Sequence, residues 1–318
     1  MAENGTTALD NPDDYRAAIG AMTLNLIVTA GGDFNARLTW LNLRHLHVLH
    51  ARESVPRIAF LSLSPARTFV SFPTKANAIL TYGGIGLHVG DFVFHSRGER
   101  AHQRTNGAGQ WGLISLPLEQ LTIFGNALTG HGIVAPPEGR VLRPSPSVAR
   151  RLLGHHSKIC RLVETKPQLI ANPEVARAIE QELIHALVVC LTAGDTSDNP
   201  KMKRHYSDIM VRFEEVLNAK GALHLGLPAL CSAVGVPERT LRACCTDFLG
   251  MSPSRYHLLR RLNLAHSALQ RADPETTSVA EIARNHHFRE LGRFALTYRT
   301  VFGELPSTTL RRSPIETV

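Results

Sequence analysis

No stretch of this sequence approaches the ~18 consecutive apolar residues of a membrane span. The first residues are polar and acidic (Glu3, Asp10, Asp13, Asp14) where a secretory leader would be cationic and then apolar. Cysteine is scarce. The five residues Cys160, Cys190, Cys231, Cys244 and Cys245 are an odd number, with no Cys-x-x-Cys and no Cys/His set at zinc spacing. A disulfide framework and a structural zinc module are thereby excluded, and reduced, buried thiols in a soluble cytoplasmic protein are expected. Also missing are a Gly-x-Ser-x-Gly nucleophile elbow, a P-loop and a readable acid/base carboxylate pair. No catalytic residue, metal ligand or cofactor is assigned, and the chain is expected not to be an enzyme. Gly107–Gly112 matches Gly-x-Gly-x-x-Gly, but it follows a polar stretch and Pro117 soon interrupts, so it reads as a loop between strands.

What is present is a large apolar fraction, 43%, and an excess of positive charge, +8 formally. The 318 residues suggest two domains. From Lys201 onward 17 Lys and Arg face 11 Asp and Glu, a net of +6, which leaves +2 for the first 200 residues. From Met22 to Leu121 the text is strand-like, with short runs such as Leu24–Thr29, Arg57–Leu63, Thr68–Phe72 and Asp91–Phe94 between Gly, Pro, Asp and Asn turns. That texture predicts an antiparallel barrel or sandwich. Ser147–Cys160 and Pro173–Thr192 read as helices. Residues 193–200 read as a linker, and everything beyond as helix.

One pattern occurs twice near the C-terminus. Leu249-Gly250-Met251-Ser252-Pro253-Ser254 is matched by Phe302-Gly303-Glu304-Leu305-Pro306-Ser307, and each copy closes a helix-turn-helix. In the first unit Leu230 and Cys231 form an inner face, Gly235 suits a turn at positive φ, and Pro237 suits the first turn of the next helix, which buries Leu241 and Cys245. In the second, Ile282 and Ala283, His287, and Phe294 and Tyr298 take the same roles, with the turn one residue longer. Ser278 and Glu281 have the spacing of a capping box. Between the units Ser254–Arg271 predicts a helix roughly 25 Å long, a strut able to hold two recognition helices about one DNA turn apart.

On Leu241-Arg242, Leu249-Gly-Met-Ser-Pro253, Arg260-Arg261-Leu262, Val279-Ala-Glu-Ile-Ala283 and Phe302-Gly…Pro306, the chain resembles the AraC/XylS family of transcription regulators over about residues 211–312. The resemblance implies an α+β two-domain protein. Its first domain would be an N-terminal antiparallel β-barrel, cupin-like, with a helical tail, serving effector binding and dimerisation (1–195). A linker (196–208) would lead to an all-α DNA-binding domain (209–313), with helix-turn-helix units at 227–248 and 279–302. It also implies a nucleoid-associated activator that works as a homodimer on double-stranded promoter DNA, with a small-molecule effector and RNA polymerase as partners and no membrane contact.

Major-groove reading needs donors and acceptors on an exposed helix face. In the first unit Arg239 and Arg242 suit a guanine edge, with Glu238 and Thr246 flanking. In the second the equivalent positions are Gly292 and Ala295, among Arg289, Arg293, Leu296, Thr297 and Arg299. The expectation is an asymmetric reader, the first helix specifying sequence and the second anchoring on phosphates or reading thymine methyls. Arg44, His45, Arg67, His95 and Trp111 are candidates for an effector cavity, whose basic lining would suit an acidic metabolite. Two alternatives stand beside this reading. One is a cupin-type metal enzyme built on His45, His47, His50 and Glu53 and fused to a DNA-binding module; the other is a ligand-independent DNA-binding protein.

Overall fold

The computed structural model describes residues 4–20, 22–193, 195–196, 200–219 and 221–312. Glu3, residues 194 and 197–199 of the expected linker, and residue 313 lie outside the described residues. The chain opens with β1 (Asn4–Leu9) and α1 (Pro12–Ala18). It then runs through β2 (Met22–Val28), β3 (Ala36–Asn42), β4 (His47–Glu53), β5 (Arg57–Leu63), β6 (Arg67–Pro73), β7 (Leu80–Tyr82), β8 (Ile85–Leu87), β9 (Phe92–Phe94), β10 (Arg100–Thr105) and β11 (Gly109–Pro117). Next come α2 (Leu118–Thr129), β12 (Arg140–Arg143), α3 (Pro146–Thr165), α4 (Pro173–Ala193) and β13 (Asp195–Thr196). The remainder is helical: α5 (Pro200–Asn218), α6 (Leu227–Val234), α7 (Glu238–Leu249), α8 (Pro253–Arg271), α9 (Val279–Asn285), α10 (Leu291–Phe302) and α11 (Pro306–Arg311).

The strands form two antiparallel sheets, ordered β1-β3-β4-β11-β6-β9-β12-β13 and β2-β5-β10-β7-β8. The expected single closed barrel is corrected to this open pair. From β5 to β6, and again from β9 through β10 to β11, the chain hops between sheets, so sequence neighbours face each other across a core. The larger sheet is apolar on both faces. Leu49, Leu113 and Phe69 point into the core between the sheets, while their neighbours Val48, Ile114 and Val70 point into a second core beneath α2, α3 and α4. The alternation has period two, as a pleated strand requires.

Two local readings shift, at Leu118–Leu121 and at Pro200, while the helix expected from Pro173 forms. The strand-like text ends at Pro117, which caps α2, so Leu118–Leu121 is helical. The helix from Pro173 buries Leu183, Leu187, Val188 and Cys190 in the outer core, so that face is occupied within the chain. The stretch expected as linker is helical from Pro200. The Gly107–Gly112 segment, expected as a loop between strands, is only partly one: the β10–β11 turn ends at Ala108 and Gly109–Gly112 begin β11.

Helices α5 to α11 pack on one another and on the smaller sheet. The inner core continues from the sheets into them without a break, through Ile209, Phe213, Phe248 and Tyr256. No described helix is long and apolar enough to cross a membrane.

Candidate nucleic-acid interface

The two helix-turn-helix units share one scaffold. Leu230, Cys231, Leu241 and Cys245 are buried in the first; Ile282, Ala283, Phe294 and Tyr298 are buried in the second. The turn of the first passes through Gly235 at φ 76°, and the second through His287 at φ 61°. His287 is the one non-glycine residue at positive φ among the described residues. Both turns close with the same five-residue back-bond, Val236 N to Cys231 O at 3.1 Å and Phe288 N to Ala283 O at 2.9 Å. Arg261 secures the second turn by donating to the carbonyl oxygens of His286 and His287, at 3.1 and 2.8 Å, with its guanidinium over the Phe288 ring.

Two start signals behave largely as predicted. Ser278 Oγ accepts from Glu281 N at 3.2 Å, half of a capping box. Pro237 sits at the N-cap of α7 rather than inside its first turn. Between the units α8 spans 19 residues, about 28 Å at 1.5 Å per residue, capped by Ser252 with Pro253 in its first turn. The cysteines are free and buried. Burial pushes the Cys244 thiol up to about 11 and Cys245 higher still, so these are packing groups and not nucleophiles.

The predicted reading residues stand on exposed faces. Glu238, Arg239, Arg242 and Thr246 are exposed on α7. Glu238 holds Arg242 by an ion pair of 2.7 Å one turn away, which fixes the direction of the guanidinium. On α10 Gly292, Arg293, Leu296 and Arg299 are exposed, and Arg289 is exposed just before it. Thr297 is only half exposed, and its hydroxyl donates to Arg293 O at 2.8 Å. Hydrogen-bonded contacts to the first domain come from α5 and α8.

Those contacts meet at Glu214 of α5, which is fully buried. Its carboxylate accepts from His102 Nε2 of β10 at 2.9 Å, from the Tyr256 hydroxyl and from Arg260 Nη1 of α8 at 3.1 Å. Burial alone would raise this carboxyl. The His102 and Tyr256 hydrogen bonds and the charges of His102 and Arg260 outweigh it, and the group is held below the usual carboxylate range. Asn263 of α8 caps the edge strand β2, accepting from Val28 N at 2.9 Å and donating to Val28 O at 3.0 Å. The two glycines of the repeat are left-handed helix caps, and both touch the first domain. A Cβ on Gly250 would stand 2.9 Å from Arg104 Nη1, and one on Gly303 would stand 2.9 Å from Gly32 Cα.

Between the sheets of the first domain lies a small cavity of about 10 Å³, room for one water-sized sphere, lined by Arg57, Ser71, His95, Gln103 and Trp111 among apolar side chains. Of the five residues predicted for an effector cavity, the fold brings His95 and Trp111 here. Arg44 is exposed on the β3–β4 turn. Arg67 donates to Ser115 O and His45 O, and His45 stacks edge-on against Phe124. None of these three lines the cavity. Missed from sequence were Arg57, Ser71 and Gln103. Arg57 is nearly inaccessible and pairs with Glu53 at 3.0 Å, while the other Glu53 oxygen accepts from the Tyr15 hydroxyl and Trp111 Nε1. β5 is buried on both faces and β10 is mostly polar, so no local pattern marked these residues.

That network also engages the carboxylate of the metal alternative. Glu53 is consumed by Arg57, Tyr15 and Trp111. His50 is buried, its pKa down to about 4 from burial and from the Arg52 and Lys75 charges, with Nε2 toward Thr74 Oγ1. Among the described residues no three His, Cys, Asp or Glu side chains are grouped to hold a metal ion.

Two helix-turn-helix units on one strut, with exposed cationic faces, define a tandem helix-turn-helix domain. A family model described as a helix-turn-helix domain matches residues 230–312. The "XylDLEGF operon transcriptional activator 2" of Pseudomonas putida is 34% identical over 117 residues, covering 37% of this chain and 69% of that one. The "Probable thc operon regulatory protein" of Rhodococcus erythropolis is 28% identical over 167 residues, 52% of this chain and 50% of the other. The solved structure of the AraC-like transcriptional activator CuxR aligns over 82% of this chain and 94% of its own, at 18% identity and a TM-score of 0.43. The chain belongs to the AraC/XylS family of transcription regulators. It spans about half the length of most of the curated relatives it matches.

Proposed function

We propose that this chain is an effector-responsive transcription activator that reads promoter DNA with α7 and anchors on it with α10. The observation that carries the reading is the contrast between two faces on one scaffold. The first presents Arg239 and a carboxylate-steadied Arg242, with Glu238 and Thr246 beside them. The second presents Arg289, Arg293 and Arg299 around Gly292 and Leu296, with Thr297 turned onto its own helix. A steadied guanidinium matches the paired acceptors of guanine, whereas dispersed arginines match phosphates.

Residues 1–195 act in this reading as the effector and dimerisation domain, a cupin-like sandwich, and 209–313 as the DNA-binding domain, in a nucleoid-associated homodimer that contacts RNA polymerase. Arg57, His95 and Gln103 inside an apolar sandwich supply the polar anchors for a small acidic effector. The sheets must part to admit a molecule larger than water. The non-enzymatic reading is supported by the dispersed histidines and the occupied Glu53.

Selection of binding sites from a random duplex library, followed by titration of variants, tests the DNA assignment. Arg242→Ala should cost on the order of 1–3 kcal/mol and relax preference at one position. Arg293→Ala should weaken every sequence alike. A base-preference profile changed more by Arg293→Ala than by Arg242→Ala would refute the division of labour.

A further inference from the structure

The exposed face of α10 carries a large apolar side chain that stands mostly in solvent. Leu296 is 69% exposed, the most exposed large hydrophobic residue among those described. A solitary surface leucine elsewhere would need no explanation. Here the surroundings supply one. One turn earlier, Gly292 has open space where a Cβ would stand, so the helix backbone can approach a neighbouring surface closely. Arg289, Arg293 and Arg299 are exposed around it and make no ion pair among the described residues. The two hydroxyls able to read a base edge, Thr297 and Thr300, donate instead to Arg293 O at 2.8 Å and to Leu296 O at 2.9 Å. The face is therefore an isobutyl group ringed by unpaired cations.

We infer that Leu296 is a specificity residue that recognises thymine through its 5-methyl group in the major groove. The inference rests on the proposed placement of α10 against DNA. Thymine alone offers an apolar group on its major-groove edge, while guanine and adenine would set acceptor nitrogens against a leucine that cannot donate. The surrounding arginines complement the flanking phosphates and exclude an uncharged apolar partner for this face. The second unit then contributes sequence preference of its own, through shape and methyl contact where the first uses hydrogen bonds.

The full chain and a site selected from a random library provide the test. Each thymine of that site is replaced in turn by deoxyuridine, which deletes the methyl and keeps every hydrogen-bonding group. One or two positions in one half-site should lose about fourfold in affinity, the worth of one buried methyl group. In Leu296→Ala the same positions should become indifferent to deoxyuridine with melting temperature nearly unchanged, since the side chain is mostly exposed. Arg242→Ala should keep the deoxyuridine effect. The inference is overturned if the chain selects a defined sequence yet no deoxyuridine matters. It is equally overturned if the effect persists in Leu296→Ala, or if that variant loses transcription activation with its DNA profile intact, which would give Leu296 to a protein partner. A wild-type chain that enriches no sequence overturns the DNA-reading assignment together with this one.

Discussion

Replacing Glu214 with alanine removes the acceptor that donors from both halves of the chain share. His102 comes from β10, Tyr256 and Arg260 from α8, and the carboxylate between them is fully buried. Deleting one member of a buried charged cluster leaves the others uncompensated, at a cost of about 3–5 kcal/mol. With a few degrees per kcal/mol for a chain of this class, the melting temperature should fall on the order of 10 °C. Arg260 keeps Asn218 as a partner, which places the cost toward the lower end of that range. The pH dependence has a definite sign. The folded-state pKa of Glu214 is depressed, so its stabilisation is present above the unfolded pKa and is lost as pH falls below the ordinary glutamate range toward the folded value. Wild-type stability should therefore drop in acid more steeply than that of Glu214→Gln. Chemical denaturation of wild type, Glu214→Ala, His102→Ala and the double variant closes a cycle. A coupling energy above about 1 kcal/mol is expected for a direct buried contact. A change in melting temperature under 2 °C for Glu214→Ala, or additive single variants, would refute the argument that this carboxylate joins the two halves.

Three further outcomes are expected. His287→Gly should stabilise the chain by about 1 kcal/mol, because a side-chain-bearing residue at φ 61° carries a left-handed penalty that glycine escapes; thermal unfolding reads it. Arg293→Ala should lower the slope of log affinity against log salt by about 0.9, one phosphate contact, when binding is titrated across salt concentrations. The thiols should resist a disulfide reagent in the native chain and react together on unfolding, since burial holds Cys160 and Cys190 up at about 12.

Legibility in the sequence followed the range of the interactions. The tandem units were readable because their determinants are local: a small buried pair, a residue at positive φ four positions on, a second buried pair four apart. Even His287 announced itself by occupying the place of Gly235. The strands at Leu24, Arg57, Thr68 and Asp91 were readable from alternation and turn residues. Their order was not, because β4 pairs with β11 and β5 with β10 across long stretches of chain. Buried polar residues fared worst. Arg57 sits in a strand buried on both faces, with no local pattern to mark it, and Arg44 and Arg67 attracted attention meant for it. The Glu214–His102 contact joins residues 112 apart, with no pattern around either to announce the other.

The glycines that close the repeated pattern acquire a second meaning from their neighbours. Gly250 lies against Arg104 of β10, and Gly303 against Gly32 of the β2–β3 turn, so the first domain reaches the foot of each unit. It works as a splint laid along α8. The pitch between the two reading helices is then held from outside as well as by the strut. Any rearrangement of the sandwich that shifts β10 relative to that turn would change the spacing of α7 and α10.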